Sequence, residues 1–394
     1  MHIAYTEEQE ELRQELRGYF ADLMTDEARD GMQAGDGEYG RVETYKALVK
    51  QMGTDGWLGI GWPKEYGGQG RSFIEQLIFT DEASIAGAPV PFLTINTVGP
   101  TIMKFGTDEQ KQDFLPRILK GDVHFSIGYS EPEAGTDLAS LKTRAVRDGD
   151  EWLINGQKMW TSLIQYADYV WLGCRTDQDA PKHKGISMII VPTDVEGFRY
   201  TPVRTVADVV TSATYYEDVR VPFGNVVGGE AGVNKGWHLI VNQLNHERVS
   251  LCSSAPIMNA LSQVRAWAQE AKLADGRRVI DQEWVQRHLA EVHAKVEFLK
   301  LLNWKLAWSE DALNPAEASA TKVFGTEFST HAYRLLMEVM GQEAYVKPGS
   351  PGAKVKGTVE RMYRAALILT FGGGTNEIQR DIIAMLALGM PRMR

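Results

Sequence analysis

Glu247 is the residue whose type and surroundings are best suited to proton transfer. It falls in a predicted helix whose apolar face carries Trp237, Ile240, Leu244 and Leu251, three residues after Leu244 and four before Leu251. A carboxylate on that face is expected to point inward. There it either pairs with a cation or has its pKa raised by desolvation, which would make it a proton acceptor near neutral pH. Spacing alone favours an ion pair with an arginine from another helix and leaves catalysis open.

A run of three glycines, Gly372–Gly374, followed by Thr375, leads into a predicted helix that begins near Asn376. Glycines let a planar ligand or a phosphate approach the backbone closely, and a helix N-terminus offers unpaired N–H groups. A simple turn between two helices explains the same pattern equally well. The sequence alone does not separate the two interpretations.

Two polar segments, residues 129–137 and 158–162, could together hold a polar aromatic cofactor. They supply hydroxyl groups, exposed N–H groups and a flat indole ring, from Ser130, Thr136, Ser162, Gly135 and Trp160. Turn serines and a core tryptophan are the simpler interpretation, which composition alone favours.

Other sites are excluded or disfavoured by spacing. Gly59–Lys64 begins like a dinucleotide-binding loop, but Lys64 stands where the third glycine is needed. No Gly-Lys pair occurs, which excludes a Walker A loop. His288 and His293 are five residues apart on a predicted helix, so they lie on different faces and do not predict a metal site.

Composition limits the class of protein further. The chain has 394 residues, a net charge of −10 and two cysteines, Cys174 and Cys252, which predicts a reducing compartment without a disulfide framework. The acidic balance without a basic stripe argues against nucleic acid as a partner. No apolar run approaches the ~18 residues of a membrane span. The N-terminus lacks the pattern of a signal peptide, so we expect a cytoplasmic protein that does not bind membranes.

The order of elements predicts three parts. Helical periodicity dominates up to residue 121, where Thr6 with Gln9 and Thr107 with Gln110 form capping-box patterns. Short β-rich segments separated by turn signals follow. Helical periodicity returns after the glycine-rich stretch Gly228–Gly236. We therefore expect an N-terminal helical domain (1–121), a middle β domain or barrel (122–230) and a C-terminal helical bundle (231–394).

The sequence resembles the acyl-CoA dehydrogenase family over essentially its whole length. Seven stretches carry the resemblance in order: Gly56–Gly68, Gly106–Lys111, Tyr129–Asp137, Asn155–Trp160, Gly185–Met188, Val219–Pro222 and Gly374–Arg380. The resemblance implies a mainly α fold in which an N-terminal helical domain, a middle β-barrel and a C-terminal four-helix bundle enclose FAD and an acyl-CoA thioester.

The reaction that the resemblance implies is α,β-dehydrogenation of the thioester. A carboxylate removes the α-proton, the β-hydrogen leaves as hydride to the flavin N5, and an electron-transfer flavoprotein then takes the electrons. The cofactor-binding positions carried over from the family are Ser130 and Ser162 near the isoalloxazine, Trp160 against it, Gly135 and Thr136 at the pyrophosphate, Thr375 and Glu377 closing the pocket from the helical side, and Ile127, for which no part of the cofactor is specified.

The base stands at an unusual position. The commoner family pattern places a glutamate directly before the Gly-Thr pair, where this chain has Gly373, which we assign to the substrate pocket. A minority of the family, including isovaleryl-CoA and long-chain dehydrogenases, carries the glutamate on a helix of the C-terminal domain, and Glu247 matches that alternative. The resemblance therefore favours Glu247 as the catalytic base. Arg248 would approach the thioester or CoA, with a structural ion pair as an equal alternative.

The chain departs from the family where homotetrameric members complete a neighbour's adenine site. Lys272–Gly276 replaces the Arg-x-x-Phe-Gly motif, and Glu338 replaces a glutamine. Asp275 and Glu338 would bring negative charge towards the cofactor diphosphate, which electrostatics disfavours. This departure resembles the base-bearing subunits of actinobacterial α2β2 steroid side-chain dehydrogenases. It implies a second acyl-CoA dehydrogenase-like subunit and a bulky CoA thioester.

Two other functions stay open on the same fold. One is a flavin-dependent oxidase or monooxygenase that returns electrons to oxygen. The other is a stabilising subunit without catalysis, for which the altered adenine-side segment is the supporting feature.

Overall fold

The computed structural model describes residues 3–34, 38–250, 252–308 and 314–391, and within the 244–250 stretch it describes the backbone only. The N-terminal part is helical, with a π-helical turn before α5. Its helices are α1 (Glu7–Leu23), α2 (Asp26–Gln33), α3 (Val42–Thr54), α4 (Phe73–Ala86), α5 (Gly99–Phe105) and α6 (Asp108–Leu119).

Local capping explains where several of these helices begin. The Thr6 hydroxyl accepts from Gln9 N while the Gln9 side chain accepts from Thr6 N, and Thr107 and Gln110 form the same reciprocal box at α6. Ser72 with Glu75 caps α4 in the same way. Both capping boxes predicted from the sequence are confirmed.

The middle part is a curled seven-stranded sheet. Its strands are β1 (Phe125–Gly128), β2 (Arg144–Asp148), β3 (Glu151–Lys158), β4 (Tyr169–Arg175), β5 (Ile186–Pro192), β6 (Phe198–Arg204) and β7 (Val210–Pro222). The order is β1-β4-β2-β3-β7-β6, with β5 antiparallel to β4 on a branch and β1 parallel to β4. The domain predicted as a β-barrel is therefore a curled sheet with a mixture of strand directions.

Strand β4 is buried on both faces, and each face belongs to a different core. Trp171 packs with the N-terminal helices. Its neighbours Val170 and Leu172 lie on the opposite face of the sheet and pack in a second core formed by the β domain. This alternation follows from the period of two along a strand. The N-terminal helices and the sheet thus share one hydrophobic core.

The C-terminal part is again helical, which confirms the predicted order of helices, β domain and helices. Its helices are α7 (Gly236–Ser250), α8 (Ala255–Glu270), α9 (Glu283–Trp308), α10 (Pro315–Met340), α11 (Thr358–Ala366) and α12 (Asn376–Leu386). Helices α8 to α11 enclose a separate core around Val292, Val296, Leu336 and Val339. The start of α7 belongs instead to the first core, through Leu239 and Ile240.

Helix α7 lies between the β domain and the bundle. At its start, a Cβ on Gly236 would come 2.8 Å from the backbone of Ser187 in β5, so only glycine permits this close approach. On its other side α7 packs against α10. The helix that carries position 247 is therefore in contact with both parts.

Candidate functional site

Two loops of the β domain meet at the end of β1. Met159 N, just after β3, donates a hydrogen bond to Ser130 O at 2.8 Å. The Ser126 hydroxyl on β1 donates to Ser162 O. These two bonds bring Ile127, Ser130, Trp160 and Ser162 into one neighbourhood, although the two loops are about thirty residues apart in the sequence. The structure thus brings together four positions that the resemblance assigns to cofactor binding.

Trp160 has a strained backbone and an exposed ring. Its φ is 65°, in the left-handed region that side chains other than glycine seldom adopt. The indole is 57% exposed, and the next residue is fixed by a bond from Thr161 N to Ser212 O at 2.9 Å. Strain of this kind persists only where the surroundings hold it, and it is concentrated at functional sites. The ring is thus available to a planar ligand beside Ser130 and Ser162.

Strand β7 adds hydroxyl groups that the sequence analysis did not identify. Thr211 Oγ1 lies 3.3 Å from Ser162 Oγ, and Thr214 Oγ1 lies 3.3 Å from Thr161 Oγ1. Ser212 is buried, and its hydroxyl has no hydrogen-bond partner within the described ranges. The run of small hydroxyl residues at the start of a buried strand was the available signal.

A buried ion pair lies under these loops. Lys158 Nζ, which is fully buried, donates to Glu131 Oε1 at 2.8 Å and to Tyr129 O at 3.0 Å. Glu131 also accepts from Lys142 N at 2.6 Å and Thr143 N at 2.8 Å. Burial lowers the pKa of Lys158, while Glu131 opposes this effect. Burial raises the pKa of Glu131, but Lys158 and the N–H donors outweigh it and hold that pKa below its usual range.

Gly135 and Thr136 lie on the exposed part of the same loop. A Cβ at Gly135 would meet nothing within 4 Å. Glu131 and Ala134 exchange both backbone hydrogen bonds, whereas the N–H groups of Gly135 and Thr136 find no acceptor in the part of the chain that the structure describes. Free N–H groups on an accessible backbone suit a phosphate ligand. The loop is therefore a candidate site for the phosphate groups of a ligand.

Helix α7 is joined to this region through Gln243. Gln243 is fully buried, and its Oε1 accepts a hydrogen bond from the Tyr129 hydroxyl, one residue before Ser130. Position 247 follows one helical turn after Gln243. The side chains of Glu247 and Arg248 lie outside the described residues, so the roles given to them remain predictions.

The glycine loop before α12 is held by a buried lysine. Gly373 and Gly374 have φ values of 68° and 97°, which glycine adopts without strain. Lys322 of α10, fully buried, donates to Gly374 O and to Asn376 Oδ1, both at 2.8 Å. Gln379 Nε2 donates to Gly373 O at 3.3 Å. Sequence rules miss Lys322 because a lysine is seldom fully buried.

Thr375 and Glu377 occupy the start of α12. The Thr375 hydroxyl accepts from Ile378 N at 3.3 Å and so caps the helix, and Glu377 is exposed in its first turn. Among the described residues, no hydrogen bond or ion pair joins 372–377 to the loops 126–137 and 158–162. The two halves of the predicted pocket are connected through α10 and α7.

The segment that departs from the homotetrameric pattern carries its own counter-charges. Asp275 pairs with Arg277 at 2.6 Å, and Glu338 lies 3.8 Å from the Arg334 guanidinium and contacts a ring nitrogen of His288 at 2.8 Å. The hydrogen bond from Arg277 lowers the pKa of Asp275. Part of the negative charge predicted for this surface is therefore compensated within the chain.

The residues that could bind a metal ion are dispersed in the described ranges. His288 is engaged by Glu338, and no group of three or more histidine, cysteine or acidic residues in those ranges is arranged to hold a metal ion. Within the same ranges, no helix combines the length and the apolar character that crossing a bilayer requires.

Comparison with known proteins identifies the family. Three acyl-CoA dehydrogenase domain models match the chain in order: the N-terminal domain over residues 6–122, the middle domain over 126–219 and the C-terminal domain over 234–388. The chain belongs to the acyl-CoA dehydrogenase family and is an acyl-CoA dehydrogenase. Members of this family are flavoproteins.

Several relatives are similar over their full length. The chain is 65% identical over 400 residues to acyl-CoA dehydrogenase FadE26 of Mycobacterium tuberculosis, covering 100% of this chain and 99% of the relative. It matches a chain of the ChsE4-ChsE5 complex from Mycobacterium tuberculosis at 65% identity with a TM-score of 0.92, covering 100% of both chains. It also matches a chain of the Tcur3481-Tcur3483 steroid ACAD at 51% identity with a TM-score of 0.92, again covering 100% of both.

Proposed function

We propose that this chain catalyses the FAD-dependent α,β-dehydrogenation of a bulky acyl-CoA thioester, a steroid side-chain substrate, as the base-bearing subunit of a heteromeric complex. The observation that carries the cofactor part is the convergence of Ser130, Trp160 and Ser162 through the bond from Met159 N to Ser130 O. The substrate class and the partner subunit are inferred from the similar proteins.

The residues present fit FAD. Ile127, Ser130 and Ser162 would border the isoalloxazine, and the exposed indole of Trp160 would lie against it. The free N–H groups of Gly135 and Thr136 would receive the pyrophosphate, and Thr375 and Glu377 would close the pocket from the helical side. When bound, FAD supplies the acceptor for the hydrogen that leaves the β-carbon with its electron pair.

Glu247 is proposed as the base. Its carboxylate takes the α-proton as the Cα–H bond breaks, and the Cα–Cβ double bond forms as the β-hydrogen departs as hydride. The bond between Gln243 and Tyr129 supports this role, because position 247 lies one turn further along a helix that is fixed beside Ser130. Gly373 offers no carboxylate at the commoner position and would leave room for substrate. Arg248 would contact the thioester or CoA.

The substrate class follows from the relatives. One similar complex is described as a steroid ACAD, and this chain matches one of its subunits along the full length at 51% identity. A rigid ring system needs a wide pocket, and Gly373 at the position of the usual glutamate removes a side chain from it. We therefore propose a CoA thioester of a steroid side chain.

A second acyl-CoA dehydrogenase-like subunit is proposed as the partner. Both similar structures contain two differently named subunits. The C-terminal part of this chain exposes large apolar side chains over a continuous stretch of sequence, namely Leu367, Ile368, Phe371, Ile378, Leu386, Leu388 and Met390. Exposed apolar surface of this kind is typical of a protein interface. An electron-transfer flavoprotein is proposed as the electron acceptor.

The proposal is tested by co-expressing the chain with candidate acyl-CoA dehydrogenase-like partner chains. We expect FAD to be retained by the complex and to be lost from the chain purified alone. In the complex, Glu247→Gln should lower turnover of a steroid side-chain CoA thioester by about 10²- to 10⁴-fold, the usual contribution of a general base. Glu283→Gln, at an exposed residue of α9, is the matched control and should leave turnover unchanged.

Three results would contradict the proposal. A stoichiometric yellow homotetramer of this chain would exclude the heteromer. Undiminished turnover by Glu247→Gln would place the base elsewhere and would favour a stabilising subunit. Formation of hydrogen peroxide in step with substrate loss, without an added electron acceptor, would favour the oxidase.

A further inference from the structure

Tyr129 stands where the β domain meets helix α7. It follows β1 directly, precedes Ser130, and is buried. Its backbone carbonyl accepts from Lys158 Nζ at 3.0 Å. Its hydroxyl accepts from Trp171 Nε1 at 3.2 Å and donates to Gln243 Oε1. One residue is thus held by β3, β4 and α7 together.

The partners of the phenol are themselves fixed. Trp171 is fully buried in the central strand β4, within the core shared by the N-terminal helices and the sheet. Gln243 is fully buried on α7, and its Nε2 has no hydrogen-bond partner within the described ranges. A buried donor that has no hydrogen-bond partner destabilises the folded state. Among the described residues, the bond from Tyr129 is therefore what compensates for burying the Gln243 amide.

These hydrogen bonds connect the loop that carries Ser130 to the helix that carries position 247. At one end, Tyr129 is adjacent to Ser130, and at the other, Gln243 is one helical turn before position 247. A change in the bond between them alters the distance from the flavin loops to the helix. Proton abstraction is sensitive to such a change, since a misplacement of about 1 Å can cost 10²-fold in rate.

We infer that Tyr129 is a positioning residue, whose hydroxyl sets the distance between the flavin-binding loops and the helix that carries the base by linking Trp171 to Gln243. The inference rests on the proposed function, because it takes Glu247 as the base. Tyr129 acts through Gln243 and α7 and needs no contact with the substrate.

The main test is Tyr129→Phe in the assembled complex, which removes one oxygen atom and keeps the ring. We expect kcat for a steroid side-chain CoA thioester to fall by about 10- to 100-fold, with KM and FAD content close to wild type. Tyr333→Phe is the matched control, since Tyr333 is also buried but its hydroxyl has no hydrogen-bond partner among the described residues. That control should keep the wild-type kcat.

A second measurement separates positioning from loss of stability. In a 3-thia analogue of the thioester, sulfur replaces C3, so the α-proton can leave but hydride transfer is blocked. Binding at increasing pH gives a long-wavelength charge-transfer absorbance when the α-carbon is deprotonated next to the oxidised flavin. In Tyr129→Phe the midpoint of this titration should rise by about one pH unit, the equivalent of a tenfold loss in the deprotonation equilibrium.

The double variant Tyr129→Phe/Gln243→Leu provides the decisive comparison, and it remains informative if the single variant folds poorly. Removing Gln243 as well should recover part of the stability lost by the single variant, because the glutamine amide is no longer buried without its partner, whereas Trp171 Nε1 lacks its acceptor in both variants. We expect the kcat defect and the shifted titration to persist. Recovery of wild-type kcat together with stability, or wild-type behaviour of the single variant, would overturn the inference.

If Glu247→Gln is inactive while Tyr129→Phe is normal, only the inference fails, whereas an active Glu247→Gln overturns the proposed function itself.

Discussion

Lys158 and Glu131 form an ion pair of 2.8 Å that is buried directly under the two loops proposed to hold the flavin. Glu131 follows Ser130, and Lys158 lies two residues before Trp160. The pair therefore joins the two loops at the point where their cofactor-facing residues begin. Since both charges are removed from water, each depends on the other.

Lys158→Met is expected to destabilise the complex by about 3–5 kcal/mol, because it leaves Glu131 charged and buried without its cation. FAD content per chain should fall with it. Denaturant unfolding and flavin absorbance measure the two effects. Lys142→Met is the control from the same loop, since its exposed pair with Glu133 should contribute no more than about 1 kcal/mol. Equal effects of the two variants would contradict this account of the buried pair.

Trp160→Gly should separate stability from cofactor binding. The left-handed backbone at Trp160 costs about 1–3 kcal/mol for a residue other than glycine, and the side chain is 57% exposed. We expect the free energy of unfolding without FAD to change by no more than about 1 kcal/mol, while FAD affinity falls. Trp152→Gly, at a buried ring of β3, should destabilise by about 3–5 kcal/mol. Unchanged FAD affinity in Trp160→Gly would show that the indole is not part of the cofactor site.

Asp81 predicts a pH dependence of stability. Burial raises its pKa to about 6, an effect opposed by the hydrogen bond from Ser253 Oγ and by Lys300 and reinforced by the neighbouring Glu82. Because the folded state holds this proton more tightly than the unfolded state, the free energy of unfolding should decrease as pH rises from about 4 to about 6.

Asp81→Asn should remove that slope, since the amide oxygen still accepts from Ser253 and carries no charge. The variant should be more stable than wild type at pH 7.5, by up to about 3 kcal/mol. Thermal unfolding between pH 4 and pH 8 measures this effect. Asp113→Asn, at an exposed carboxylate of α6, should leave the slope in place. A wild-type slope in Asp81→Asn would assign the dependence to another group.

Gly374→Ala tests the loop before α12. Gly374 has a φ of 97°, and a Cβ there would lie 2.8 Å from Gln379 Nε2. We expect a loss of about 1–3 kcal/mol in stability from the backbone strain and a lower kcat in the complex. Gly18→Ala, in the middle of α1 with nothing within 4 Å of a Cβ, should stabilise by about 0.5–1 kcal/mol. A neutral Gly374→Ala would show that the loop tolerates another conformation.

The sequence predicts best what depends on neighbouring residues. The capping boxes at Thr6 and Thr107 are reciprocal contacts over three residues, so they are visible in the sequence. Strand β6 is difficult to predict because most of its residues are exposed, so no buried face marks it in the sequence. Strand β1 is difficult to predict because four residues give too short a pattern and its pairing with β4 is non-local.

The candidate site shows the same division. The residue types at Ser130, Trp160 and Ser162 were recognisable, whereas their meeting depends on the long-range bonds from Met159 and Ser126. Lys322 and the pair of Lys158 with Glu131 could not be predicted, because buried charges run against the usual distribution of polar residues. Glu247 and Arg248 remain predictions.

The burial of β4 between two hydrophobic cores affects how the protein unfolds. Trp171 belongs to the core of the N-terminal helices, while Val170 and Leu172 belong to the opposite face of the sheet. Neither layer can separate from this strand without exposing apolar surface of the other. We expect the amide hydrogens of these three residues to be among the slowest to exchange with deuterium, at rates set by global unfolding. The first two parts of the chain should accordingly melt in a single cooperative transition.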